Sequence, residues 1–304
     1  MQSAVTQIGY LEIETADTPS WLRLAKLIGF EIDVREQVTG LRMDADRWAR
    51  IVLCEGESER LSAVGWEAAS PADFDAILQR LKQAGAQPGE RPDLARLHNV
   101  QQLAEFTDPD GNRGELYWSA WTAIRTSFRS PEYVAFIAAD KGMGHVTLSV
   151  ADFARSVAFY QVTLGLKLTE VADVGQLKVA FLRAGERHHA LAMAQPPSGI
   201  PAIDHIMIEV ATLDDLGSIR DRLIANGHAI ERDLGRHPTD GVVSLYAATP
   251  APFTLEIGWG SIAVDERTWA KDRYERSTRS WGHRRLAAPE TDWAQSKHTK
   301  KSHP

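Results

Sequence analysis

ASPADFDAILQRLKQAGAQ, residues 69–87, and ATLDDLGSIRDRLIANGHA, residues 211–229, are two versions of one pattern. Each has a short polar start, an amphipathic helix with apolar residues at helical spacing, and a glycine stop. A second pair matches in the same way: ETADTPSWLRLAKLIGFEI from Glu14 and SVADFARSVAFYQVTLGLKL from Ser149. The strand endings also correspond, FTDPDGNRGELYW carrying Glu115 and YAATPAPFTLEIGW carrying Glu256. A pattern used this way is an internal repeat, which fixes architecture before local propensities are consulted. Each unit reads strand, helix, then about three strands joined by turns such as DPDGN. The chain is therefore expected to be an α+β protein of four βαβββ modules, two per half. The halves are placed at residues 1–135 and 136–285, with a tail at 286–304 too poor in apolar residues to pack.

Three short stretches alternate like strands and carry the chemistry: GHVTLSV with His145, DHIMIEVA with His205 and FTLEIGW with Glu256. Alternate residues of a strand share a face. The faces opposite these three, with Val146, Leu148, Ile206, Ile208, Leu255 and Ile257, are apolar and suited to packing on helices. Any one of these histidines alone is more often structural than a ligand. Two imidazoles and a carboxylate at corresponding places in a repeated unit make a facial triad, which holds non-haem Fe(II) and leaves the opposite positions open.

Composition narrows the rest. The 304 residues carry a net charge of −7 and 43% hydrophobic residues, an ordinary globular composition without the basic footprint of a nucleic-acid partner. No apolar run reaches the ~20 residues a membrane span needs, and MQSAVTQIGYLEIET lacks the charged and apolar regions of a signal peptide, so a cytoplasmic location is expected. The single cysteine, Cys54, excludes an intrachain disulfide and reads as a buried structural thiol.

The module order, the triad, LRMDADRWARIVL, the closing SWGHRR and above all LGRHPTDGVVSLYAATPAPFTLEIGW, residues 234–259, resemble the type I extradiol ring-cleavage dioxygenases of the vicinal oxygen chelate superfamily. The resemblance is greatest to enzymes of bicyclic catechols such as 2,3-dihydroxybiphenyl. It covers nearly the whole chain and implies the glyoxalase/bleomycin-resistance/extradiol dioxygenase fold. It also implies a homo-oligomer, a small catechol substrate, and ring opening beside the diol with Fe(II), rather than Mn(II), and O2. On the positions of this sequence, His145, His205 and Glu256 are then the iron ligands. His189, in ERHHALA, is the acid/base, and His188 points away along the strand. His237 and Tyr246 hydrogen-bond the bound catechol, Asp240 braces that array, and Phe181 lines the ring pocket.

Two departures stand out. Thr239 occupies a position where the family usually has asparagine, replacing an amide's paired hydrogen-bonding groups with one hydroxyl. In the first half, Tyr10 stands where the repeat predicts the first histidine and Ser62–Val64 where it predicts the second, with only Glu115 retained. That half is expected to hold no imidazole, to bind no metal and to support the catalytic half. The same fold also serves glyoxalase-like metal isomerases or thiol transferases and metal-free small-molecule-binding proteins, which stand as the alternatives.

Overall fold

The computed structural model describes residues 4–119, 127–139, 141–174, 177–269, 274–275, 277 and 279–285. The tail at 286–304 lies outside them. The first module is β1 (Val5–Thr15), α1 (Thr18–Ile28), β2 (Glu31–Val34), β3 (Val38–Arg42) and β4 (Ile51–Glu55). The second is β5 (Arg60–Ala68), α2 (Pro71–Gln83), β6 (Gly89–Glu90), α3 (Pro92–Leu97), β7 (Gln102–Thr107) and β8 (Arg113–Trp118). The third runs β9 (Gly144–Ser149), α4 (Phe153–Thr163), β10 (Lys167–Val174), β11 (Leu177–Arg183) and β12 (Leu191–Ala194). The fourth runs β13 (Ala202–Val210), α5 (Leu213–Ala225), β14 (Ile230–Arg236), β15 (Val243–Ala248) and β16 (Thr254–Trp259), followed by β17 (Tyr274–Glu275) and β18 (Trp281–Gly282). The repeat expected from the sequence is thus present, with α3 inserted in the second module and the two-residue β6 standing where the fourth has β14.

The helices that reveal the repeat form for local reasons. Thr212 caps α5 by accepting from the Asp215 amide while Asp215 returns a bond to the Thr212 amide, an arrangement that stabilises a helix start by about 1 kcal/mol. Its buried side is Leu216, Ile219 and Leu223, and each such side chain contributes roughly 1.5–3 kcal/mol when fully buried. In α2, Ser70 caps, Pro71 pre-sets the first turn, and Phe74, Ile77, Leu78 and Leu81 face inward. The stripes meet across the halves, α1 packing on α5 and α2 on α4.

The strands form an eight-stranded sheet, β2-β3-β4-β1-β5-β8-β7-β6, and a ten-stranded sheet, β17-β10-β11-β12-β9-β13-β16-β15-β14-β18. The central order β4-β1-β5-β8 is repeated as β12-β9-β13-β16, so each half has the same inner frame. One continuous apolar core includes Leu11, Trp66 and Leu116 from the first half and Val146, Ile208 and Ile257 from the second, with helix residues of both. The apolar strand faces are spent on this core. The polar faces look the other way, which is why each sheet encloses a polar interior. Among the described residues no helix is long and apolar enough to cross a membrane. Cys54 is half-buried rather than buried; desolvation, with Glu12 nearby, pushes its thiol up to about 12, far from a reactive thiolate.

Candidate metal centre and its pocket

Pairing sets the centre. Met207 of β13 stands opposite both His145 of β9 and Glu256 of β16, and His205 lies two residues away on the same face. The His145 strand starts at Gly144, where φ is +145° and a Cβ would sit 1.9 Å from the Met207 carbonyl oxygen. A side chain there would displace His145 from its row. The result brings His145 Nε2 and His205 Nε2 to 3.1 Å, His205 Nε2 and Glu256 Oε2 to 3.1 Å, and His145 Nε2 and Glu256 Oε2 to 3.4 Å. All three residues are buried.

Asp204 explains the His205 ring. Neighbouring strand residues normally point to opposite faces, but the β13–β9 register slips between Ile203 and His205. Such a bulge re-aims the extra residue. Asp204 Oδ2 lies 2.6 Å from His205 Nδ1; a carboxylate so placed fixes the ring and holds the Nδ1 proton, so that Nε2 is the atom free for a metal once its own proton is displaced. Burial alone would lower the His205 pKa; bonds to Asp204 and Glu256 reverse this and push it up to about 9. Burial likewise opposes a charged Glu256, but bonds from His145, His205 and His237 hold it well below the usual carboxylate range. His145 is lowered by desolvation and is neutral at pH 7. A buried carboxylate facing imidazoles and no ion-paired lysine or arginine fits a divalent cation. The chemistry of two imidazoles and one carboxylate suits iron or a similar first-row metal.

Around the triad the other sequence-nominated residues converge on a cavity of about 700 Å³, lined by His145, His205 and Glu256 together with Phe181, His189, His237, Thr239, Asp240 and Tyr246. The His189 ring lies 4.0 Å from that of His145, edge-on to Phe181, with Nδ1 3.9 Å from Asp240 Oδ2. Desolvation, then His145 and His188, hold His189 well below its ordinary pKa, so it is neutral and able to accept a proton. His237 Nε2 is 2.9 Å from the Tyr246 hydroxyl and 3.3 Å from Glu256 Oε1. Burial, reinforced by the Glu256 charge, raises the Tyr246 phenol well above its usual value, leaving it a hydrogen-bond donor at neutral pH.

Two expectations need correction. Residues 188 and 189 precede β12 in a bend instead of lying on a strand. His188 is fully buried, with Nδ1 3.0 Å from His189 Nδ1 and Nε2 3.7 Å from Glu170. The first half also does hold an imidazole: Glu12, His98 and Glu115 bring ligand-type atoms within 4.8 Å of one another. His98 follows the inserted α3, outside the repeat, so no strand alignment could find it. Besides Asp204, the sequence reading missed His283. Its ring lies 4.4 Å from His237 and its Nε2 3.1 Å from the Ser244 hydroxyl. The short strand β18 in SWGHRR brings it back, by a long-range pairing with β14 that local pattern does not announce.

Fold and donor set together define a protein of the Glyoxalase/Bleomycin resistance protein/Dioxygenase superfamily. That family model matches residues 15–116 and 142–257, and the chain belongs to the family, in its branch of ring-cleaving extradiol dioxygenases. It is 35% identical over 291 residues to the biphenyl-2,3-diol 1,2-dioxygenase of Metapseudomonas furukawaii, covering 92% of this chain and 94% of that one. An iron-dependent extradiol dioxygenase of Rhodococcus jostii is 31% identical, with 92% and 97% covered. The crystal structure of a halotolerant catechol dioxygenase superposes with a TM-score of 0.88 at 26% identity, over 93% of this chain and 95% of that one.

Proposed function

We propose that this chain opens the aromatic ring of a 3-substituted or bicyclic catechol next to the diol, with Fe(II) held by His145, His205 and Glu256 and O2 as co-substrate. The observation that carries the reading is the buried triad of two imidazoles and a carboxylate, reached by no arginine or lysine, lining a cavity large enough for a substituted catechol. The names of the dioxygenase relatives, one of them iron-dependent, support it. Bound there, Fe(II) would chelate the two diol oxygens, lower their pKa and give O2 access to the ring.

The chain's own residues supply the rest. His189, neutral and facing the cavity beside His145, takes a catechol proton and later returns it to the leaving oxygen. Tyr246 and His237, held to each other, orient the diol by hydrogen bonds. Asp240 fixes His189, Thr239 offers one hydroxyl at the rim of the same array, and Phe181 with Val179 and Ala192 gives the ring an apolar wall that excludes water. A homo-oligomeric assembly is part of the proposal and is read by light scattering.

The test is purification without oxygen, metal analysis, and addition of 2,3-dihydroxybiphenyl before air is admitted. The expected outcome is about one iron per chain and a yellow ring-opened product. Iron-loaded protein that leaves a panel of substituted catechols unopened would sink the reading.

A further inference from the structure

The cavity has an uneven charge balance. Three carboxylates line it, and each has a partner: Glu256 within the triad, Asp204 at 2.6 Å from His205, and Asp240 at 3.9 Å from His189. Two guanidiniums line it as well, Arg232 and Arg279, and neither has a carboxylate within ion-pair distance among the described residues. Elsewhere in the same half, arginines at least partly buried reach an acid: Arg183 pairs with Glu266, Arg187 with Glu209, and Arg220 with Asp233. Half-buried Arg232 does not, and unlike Arg236, which is bound to the Gly241 carbonyl, its side chain has no hydrogen bond to the protein either among the described residues.

Arg232 is aimed at the site by pairing. It stands opposite Tyr246 across β14 and β15, so the two side chains share a sheet face, and its guanidinium carbon lies 4.9 Å from the centre of the Tyr246 ring. Stacking on an aromatic face orients a guanidinium while leaving its N–H groups free to bind another acceptor. The Arg232 charge also lowers the Asp204 carboxyl, after the bond to His205 and the His205 charge. Arg279 sits at the mouth, where its backbone and the Ser277 hydroxyl close a tight turn on each other. Nearby His283 does not add charge, since desolvation and His237 hold it at about 4. The wall formed by Leu177, Val179 and Phe181 is apolar, so the cavity offers a substrate one hydrophobic side and one cationic side.

Resting on the ring-cleavage reading, we propose that the preferred catechol carries an anionic substituent, a carboxylate or comparable acid on a side arm or second ring, bound by Arg232 and Arg279. A planar fork of N–H donors matches a carboxylate bidentately, and water is partly excluded on the Tyr246 side. The two arginines therefore set specificity, while the triad and His189 act on the diol.

The experiment compares 3-(2,3-dihydroxyphenyl)propanoate with its amide, which has nearly the same shape without the charge, using iron-loaded enzyme at low salt. The expected preference for the acid in kcat/KM is roughly 10- to 100-fold, the worth of a hydrogen bond to a charged group, and is seen mainly in KM. Added salt should reduce it. Arg232→Met and Arg279→Met should each reduce the acid-to-amide ratio towards one. A merely structural role for Arg232 would depress both substrates and keep the ratio. A wild-type ratio at or below one, or a ratio unmoved by both substitutions, overturns the inference. If neither compound nor 2,3-dihydroxybiphenyl is opened, the ring-cleavage reading fails instead. Calorimetric binding of the acid against the amide, under nitrogen, then still reads the subsite.

Discussion

The two sheets solve the same electrostatic problem differently. In the second half the row across β9, β13 and β16 is His145, Met207 and Glu256; in the first, across β1, β5 and β8, it is Tyr10, Gly65 and Glu115. His205 corresponds to Ala63, Thr147 to Glu12 and Thr254 to Arg113. Gly65 makes room for the Tyr10 ring, whose atoms would lie 2.5 Å from a Cβ at that position. Both frames bury a carboxylate on the central polar face, which costs several kcal/mol if uncompensated. In the first half Arg113 Nη2 reaches Glu12 at 2.6 Å and Glu115 at 2.9 Å, and His98 Nε2 approaches the same pair at 3.3 and 3.5 Å. The chain supplies its own cation there. In the second half no arginine or lysine reaches Glu256; it faces imidazoles, and the charge beside it is a proton on His205 that a divalent cation would displace. One frame is closed by its own side chains and the other is left open for an ion.

The largest expected effect separates these frames. Glu256→Gln or His205→Ala should abolish both iron content and turnover, since each removes one of three protein ligands. Glu115→Gln should leave iron per chain and kcat close to the parent values, because Arg113 already fills that position. Metal analysis of the two glutamine variants side by side decides the matter. Loss of iron from a folded Glu115→Gln protein would mean that the first half is also a metal centre.

Next in size is the proton relay that only the second half possesses. His189→Gln should retain iron and bind substrate, while turnover falls roughly 10²–10⁴-fold, the usual contribution of a positioned acid/base. The acid limb of the kcat profile should move or vanish, since glutamine does not titrate. A modest loss with an unchanged pH profile would reduce His189 to a packing residue against His145 and Phe181.

How much of this was legible in the sequence follows from what each contact depends on. Period-2 alternation located His145, His205 and Glu256 because each sits in a regular strand whose other face is apolar. The repeat gave the modules because capped, amphipathic helices such as α2 and α5 carry their own start and stop signals. Asp204 escaped because a bulge breaks the alternation at that residue. His98 escaped because it hangs from an insertion, and His283 because it depends on a two-residue pairing far along the chain. Arg113 and Glu12 were readable only as exposed-face polar residues of strands. Their meeting around Glu115 is a property of three strands in register.

A smaller effect tests whether Arg113 is the internal substitute for a metal. Arg113→Met keeps much of the side-chain volume but strips the cation from two buried carboxylates, an operation that costs about 3 kcal/mol when one partner of a buried pair is lost. The denaturant midpoint should fall accordingly, with activity per bound iron preserved. An unchanged midpoint would mean that His98 alone balances Glu12 and Glu115.

The smallest effect lies in the acid response of that cluster, where the two carboxyl groups move in opposite directions. Burial opposes the Glu12 charge, but bonds from His98 and Ser62 and the Arg113 charge prevail, so its pKa is lowered. For Glu115 burial prevails over His98, Tyr10 and Arg113, so its pKa is raised. A lowered value means that Glu12 stabilises the fold above the ordinary carboxylate range and that this stabilisation is lost as pH falls through its folded pKa. A raised value means that ionised Glu115 works against folding above its folded pKa, and protonation relieves it. Glu12→Gln should therefore destabilise at pH 7, by about 1 kcal/mol if it loses the net worth of one hydrogen bond, and progressively less on acidification. Glu115→Gln should cost little at pH 7, because it removes a charge whose burial is only partly offset. Denaturant midpoints for both variants at pH 7 and pH 4 give the comparison. If Glu115→Gln proved the more destabilising at pH 7, the Glu115 charge would be better compensated than the Glu12 charge, and the balance drawn between the two halves would have to be redrawn.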